Sequence, residues 1–163
     1  MTDKLELNKI LQRLSEYTSC EEAKERVLNI TPSTNVNEVE DLIQKTSDAY
    51  FLSSRYGTPP FFKMENPKEN LRLAQVGGIL NPKCIMNIAS ILRGTRAVKD
   101  WYGQCENVES SLSYLFQSLY PVKELEKRIN QVFISEDEIA DTASDQLYAI
   151  RKKIKSLGDK IKG

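Results

Sequence analysis

NPKCIMNIASILRGTRAVKDW, residues 81–101, decides the fold. Asn81-Pro82 is a helix-start signal, because asparagine caps free amides and proline's missing N–H is harmless in a first helical turn. Ile85, Ile88, Ala89, Ile91, Leu92, Thr95 and Val98 follow at helical spacing, which predicts one long helix ending at about Trp101 or Tyr102, before Gly103. The same periodicity dominates on either side, so the expected class is all-α.

Upstream, Asn66-Pro67-Lys68-Glu69 repeats the start signal for a short helix that stops at Gly77-Gly78. No GxxxxGK[ST] follows that glycine pair, which is therefore read as a chain reversal and not a phosphate loop. Leu7, Ile10, Leu11, Leu14 and Tyr17 form the apolar stripe of a first helix. Ser19 with Glu22 is the pattern of a reciprocal cap for a second, whose buried face is Ala23, Val27 and Ile30. Thr31-Pro32-Ser33-Thr34 breaks it, and a third helix starts at Asn35, carries Val36, Val39, Leu42, Ile43, Ala49 and Tyr50, and ends by Gly57. Thr58-Pro59-Pro60-Phe61-Phe62 is a rigid, non-helical loop whose aromatics are expected to cover the local core.

Downstream, Leu112, Leu115, Phe116 and Leu119 mark a shorter helix closed by Tyr120-Pro121, and another runs from about Val122 to Val132. The segment 132–139, with the acidic turn Ser135-Glu136-Asp137, is the one place where β structure is expected, as a tiny hairpin. Ser144 caps the last helix. There the pattern changes: Leu147, Ile150, Ile154, Leu157 and Ile161 are spaced three, four, three, four, the seam of a coiled coil. Arg151, Lys152, Lys153, Lys155, Lys160 and Lys162 surround the seam against a lone Asp159. The pattern is still running at Lys162-Gly163, so an antiparallel or partner helix is expected to complete it. Residues 1–140 are read as a packed helical array and 141–163 as the start of a projecting arm.

Composition excludes most catalysis. The 163 residues contain no histidine, which removes nucleophile–histidine sites and His-containing zinc sites. Cys20, Cys84 and Cys105 are far apart and form no CxxC pair, so a reducing cytoplasm is the expected compartment. No apolar run is long enough to span a membrane. The acidic cluster Glu136, Asp137, Glu138 and Asp141 lacks the glycine and alternation of a calcium loop and reads as a solvated turn. Lys plus Arg and Asp plus Glu are both 23, so the chain as a whole has no basic excess. Clustered charge at 151–160 is the exception. Arg151, Lys152, Lys153, Lys155 and Lys160 are the candidate nucleic-acid contacts, the alternative being the solvated outer face of a coiled coil. Arg93, Arg96 and Lys99 decorate the long helix with the same ambiguity. No catalytic, cofactor-binding or metal-ligating residue is assigned.

The ordered succession of segments resembles a known family over some 155 residues. LELNKILQRLSEYTSCEEAKERVLNITPSTNVNEVEDLIQKTSDAYFLSSRYG, then GGILNP at 77–82, IASILRGTRAVKDW, and Asp141, Ala143, Ser144, Leu147, Ile150 and Arg151 of IADTASDQLYAIRKKIKSL are similar to the bacterial MutS paralogue that lacks the mismatch-recognition domain and carries a C-terminal Smr domain. The resemblance implies the first half of a helical core, or lever, domain, ending in the ascending arm of a clamp coiled coil. It implies a parent protein that dimerises through ATPase domains, binds ATP and magnesium downstream of this region, and is linked to branched DNA, suppression of recombination, nuclease activity or rescue of collided ribosomes through rRNA. None of the family's ATP-binding or nuclease residues falls on this chain. The rival expectation is a free-standing helical interaction domain that dimerises through the 147–161 seam.

Overall fold

The computed structural model describes residues 6–105 and 108–162, with side chains as far as residue 160. Among them the chain forms eight helices and no strand: α1 (Leu7–Ser15), α2 (Glu21–Leu28), α3 (Val36–Tyr56), α4 (Lys68–Gln75), α5 (Pro82–Gly103), α6 (Ser113–Gln117), α7 (Lys123–Val132) and α8 (Asp145–Lys162), with a 3₁₀ turn at Asp141–Ala143. The class is all-α, as the periodicity requires. The expected hairpin at 132–139 contracts to a single antiparallel bridge between Phe133 and Ile139. The Ile134 N–H donates to Glu138 O at 2.9 Å and the Ala140 N–H to Val132 O at 2.8 Å, after which the chain turns away.

Several helix ends form where the sequence puts them. The Asn35 side chain accepts from the Asn37 and Glu38 amides at the start of α3, and Gly57, with φ of 80°, closes it. Asn81 Oδ1 accepts from the Cys84 amide at 2.8 Å. The α4 terminus is a left-handed cap: Gly77 has φ of 80°, its N–H donates to Ala74 O at 3.0 Å, and the Gly78 N–H reaches Leu73 O at 2.9 Å.

Two expected caps are not made. Cys20, in extended geometry and with no side-chain cap, precedes α2 in place of Ser19. Pro67 precedes α4 in place of Asn66. The two patterns are joined instead by a long-range bond, in which the Asn66 amide donates to the Glu22 carboxylate 44 residues away. That bond engages the Glu22 carboxylate, which a reciprocal cap with Ser19 would have used. Beside it the Met64 N–H donates to Ser19 O at 3.3 Å, so the 57–66 loop is tied down to the start of α2.

Contacts divide the chain into two compact units, one of residues 1–66 and 93–121, the other of 67–92 and 122–163. In the first unit the core is Leu52 (1% exposed), Trp101 and Cys105, with Tyr56, Tyr102, Val108, Leu112 and Phe116 packed around them. Trp101 Nε1 donates to Tyr56 O at 3.2 Å, joining the C-terminal half of α5 to the end of α3. Tyr102 stacks on Phe116 with centroids 4.2 Å apart, and its hydroxyl donates to Ser113 Oγ at 2.7 Å. Burial raises the Cys105 thiol above its ordinary value, as befits a small apolar core residue.

α3 also holds the 108–113 segment electrostatically. The Asp48 carboxylate accepts from the Ser111 N–H at 2.6 Å and from the Ser110 hydroxyl at 3.3 Å. The Ser111 amide foremost holds the carboxyl below the usual aspartate value. One turn back, Lys45 pairs with Asp41 at 2.6 Å, which raises its ammonium above the ordinary value, and lies over the Tyr114 ring at 5.8 Å. Gly94 is buried on α5, and Phe62 from the 57–66 loop lies where a β-carbon on Gly94 would sit. That contact seats one of the two loop aromatics on the core; Phe61 remains mostly exposed. α1 buries Leu11 and Ser15 but leaves Ile10 and Leu14 exposed, and Tyr17, also exposed, lies past its end, so the expected stripe is only partly covered.

In the second unit Ala89 on the first half of α5 and Glu126 and Ile129 on α7 are buried. α8 and α7 both pack against the 3₁₀ turn.

Two outcomes are expected. Gly94→Ala gains up to ~1 kcal/mol of helix propensity but loses about 1–3 kcal/mol to overpacking against Phe62. It therefore lowers stability in the parent chain and raises it in a Phe62→Ala background, a sign change readable by denaturant titration of Trp101 fluorescence. Because the Ser111 amide foremost holds the folded Asp48 carboxyl below the ordinary aspartate value, its contribution is complete above that ordinary value and is lost as pH falls from there through the folded one. Thermal melts of Asp48→Asn should therefore be lower than the parent's at neutral pH and show a flatter decline below pH ~4.

Candidate nucleic-acid interface

α8 is positioned by its first turn. Ser144 Oγ accepts from the Leu147 amide at 3.1 Å, the cap expected of it, and Asp145 sits at the positive end of the helix dipole. Arg151 fastens the helix to the turn before it. Its guanidinium donates to Ile139 O at 2.8 Å and pairs with the Asp141 carboxylate. Asp141 is thereby drawn out of the acidic cluster, while Glu136, Asp137 and Glu138 remain exposed.

Beyond that latch α8 has two kinds of surface. The heptad-spaced residues form a stripe: Leu147 is half-buried, whereas Ile150, Ile154 and Leu157 are 57%, 64% and 51% exposed. Ile161, the last seam position, lies outside the described side chains, as does Lys162. Around the stripe Lys152, Lys153, Lys155 and Lys160 are all exposed, and none has an ion-pair partner among the described residues. Four unpaired ammonium groups along one helix make a surface suited to phosphate, whose binding needs clustered positive charge more than exact geometry. Arg151 differs from them, since its guanidinium is already engaged with Asp141 and Ile139.

The cations of α5 are arranged differently. Lys99 donates to Leu119 O at 2.5 Å, tying down the chain just after α6, and Arg96 lies 3.8 Å from the Asp100 carboxylate. Both belong to the helix packing more than to a surface. Cys20 and Cys84 are half-buried and Cys105 is buried, all as free thiols. Sequence reasoning missed a cleft of about 430 Å³ in the first unit, lined by Leu52, Pro59, Phe61, Trp101, Leu115 and Phe116 among others. Its walls come from three separate segments, so no local pattern announces it. Among the described residues no helix is long and apolar enough to cross a membrane.

The fold and this surface define a class: an all-helical module bearing a basic, heptad-patterned helix whose apolar stripe is uncovered. Comparison narrows it. The chain is similar to proteins named Endonuclease MutS2, at 34% identity over 160 residues in Clostridium perfringens, 36% in Ruminiclostridium cellulolyticum and 37% in Agathobacter rectalis. The match takes in 97% of this chain with the first two relatives and 96% with the third, and 20% of each relative. The chain thus spans about a fifth of the length of the curated relatives it matches. No protein-family profile matches it.

Gly158 interrupts the propensity of α8, and a β-carbon there would meet nothing within 4 Å. Gly158→Ala should raise the helix content and stability of α8 by about 0.5–1 kcal/mol, measured by circular dichroism melts.

Proposed function

We propose that this chain is the N-terminal lever region of a MutS-family protein of the endonuclease MutS2 kind, coupling ATPase state elsewhere in the protein to a nucleic-acid clamp that begins at α8. The observation that carries the reading is the collinear similarity to Endonuclease MutS2 along 97% of the chain, joined to an exposed basic helix at its C-terminal end. Packed helices move as rigid bodies, which suits each unit to transmit displacement. On this reading the lever region has no catalytic, metal or cofactor site. ATP, magnesium and any nuclease chemistry, including an Smr domain, reside in the remainder of the parent protein. That protein is a cytoplasmic homodimer acting on branched DNA, in suppression of recombination, or on the rRNA of stalled ribosomes. Lys152, Lys153, Lys155 and Lys160 supply the phosphate contacts, and Arg151 anchors the helix that presents them.

The second reading, a free-standing interaction domain dimerising through 147–161, draws on the same uncovered stripe. Sedimentation across protein concentration separates the two, since a tight dimer through α8 supports the interaction domain over the arm. The nucleic-acid reading is tested by fluorescence anisotropy with a four-way DNA junction and an rRNA hairpin over a range of salt. Binding should weaken steeply with salt, and each Lys→Glu change at 152, 153, 155 or 160 should lower the log–log slope by about 1 where that residue meets a phosphate. A response that is flat with salt, or unchanged in the fourfold variant, overturns it.

A further inference from the structure

We infer that the stripe on α8 is covered by a second amphipathic helix whose flanking positions are acidic, and not by a second copy of this chain. This rests on reading α8 as one arm of a helical pair. With Leu147, Ile154 and Ile161 at a positions and Ile150 and Leu157 at d, the positions beside the seam are Gln146, Arg151, Lys153, Gly158 and Lys160. They hold three cations, one amide, one glycine and no acid. Flanking residues select partner and orientation in paired helices, because opposite charges attract across the seam and like charges repel.

A second copy has no carboxylate to offer any of these positions. In an antiparallel self-pair Lys153 and Lys160 lie against their own kind, and in a parallel one they meet no acid. The seam itself is unpartnered at Ile150, Ile154 and Leu157. Arg151 is committed to Asp141, so the free charge lies along the Lys153–Lys160 edge. The covering helix therefore carries Glu or Asp along the edge facing those two lysines. Lys152 and Lys155 fall at f and b positions, pointing away from the seam. They stay accessible when the seam is occupied, so in the paired arm Lys152 and Lys155 keep the phosphate contacts while Lys153 and Lys160 turn to the covering helix.

The test uses the whole chain and two synthetic peptides with identical Leu/Ile seams, one with Glu and one with Lys at every flanking position, titrated by anisotropy. The Glu peptide should bind at least about tenfold more tightly, and the preference should reverse in Lys153→Glu/Lys160→Glu. The matched double variant Lys152→Glu/Lys155→Glu carries the same charge change outside the seam, and its effect on the preference should be smaller. Circular dichroism serves as the control that each variant keeps its helix content. Equal affinity for both peptides, equal effects of the two double variants, no binding of either peptide, or self-association that excludes the Glu peptide each overturn the inference. These outcomes are independent of nucleic acid. Failure here with salt-dependent junction binding intact removes the acidic partner alone, whereas loss of junction binding with peptide selectivity intact removes the phosphate-binding reading alone.

Discussion

Trp101 is where the first unit is held together. Its indole N–H reaches the Tyr56 carbonyl, its ring meets Phe116 with centroids 5.8 Å apart, and its backbone carbonyl faces the Cys105 thiol. One side chain thereby joins the end of α3, the end of α5 and the α6 region. Each of those helices is amphipathic, and none buries enough apolar surface alone to offset the entropy of ordering itself. The polar contacts around this centre, Asp48 to Ser110 and Ser111 and Lys99 to Leu119, fix angles that packing alone would leave loose.

Much of this is legible in the sequence because helix boundaries are local events. Asn35, Asn81 and Ser144 act within three residues of themselves, and Gly57 and Gly77 do what a residue without a β-carbon does best. Where reasoning from sequence goes astray, a distant partner intervenes. Asn66 and Glu22 each belong to a good local capping pattern, yet they bond to one another across 44 residues. Nothing in either pattern encodes the other. Asp48 likewise looks like any polar residue on a helix, until the chain returns at Ser111. The tiny hairpin expected at 132–139 shrinks to one antiparallel bridge for a different reason: strand propensity near Phe133 is real, but the segment is too short for a longer ladder.

The candidate site was legible for the same local reason. A three-four-three-four repeat and a run of lysines are patterns within one helix, and α8 displays both. What the repeat does not reveal is that Arg151 leaves the set of free cations, since its partners at Ile139 and Asp141 stand before the helix begins. That latch ties the last helix to the 3₁₀ turn before it, against which both α7 and α8 pack.

The interleaving of the two units governs how such a chain emerges from the ribosome. Residues 1–66 await 93–121, and 67–92 await the segment from 122 onward. Neither unit is a continuous stretch, so neither closes its core until synthesis has passed well beyond the other's first segment. α1 to α3 therefore leave the exit tunnel with their apolar faces open, which is a period of exposure to chaperones and to aggregation. A cut anywhere between 67 and 121 spoils both units at once.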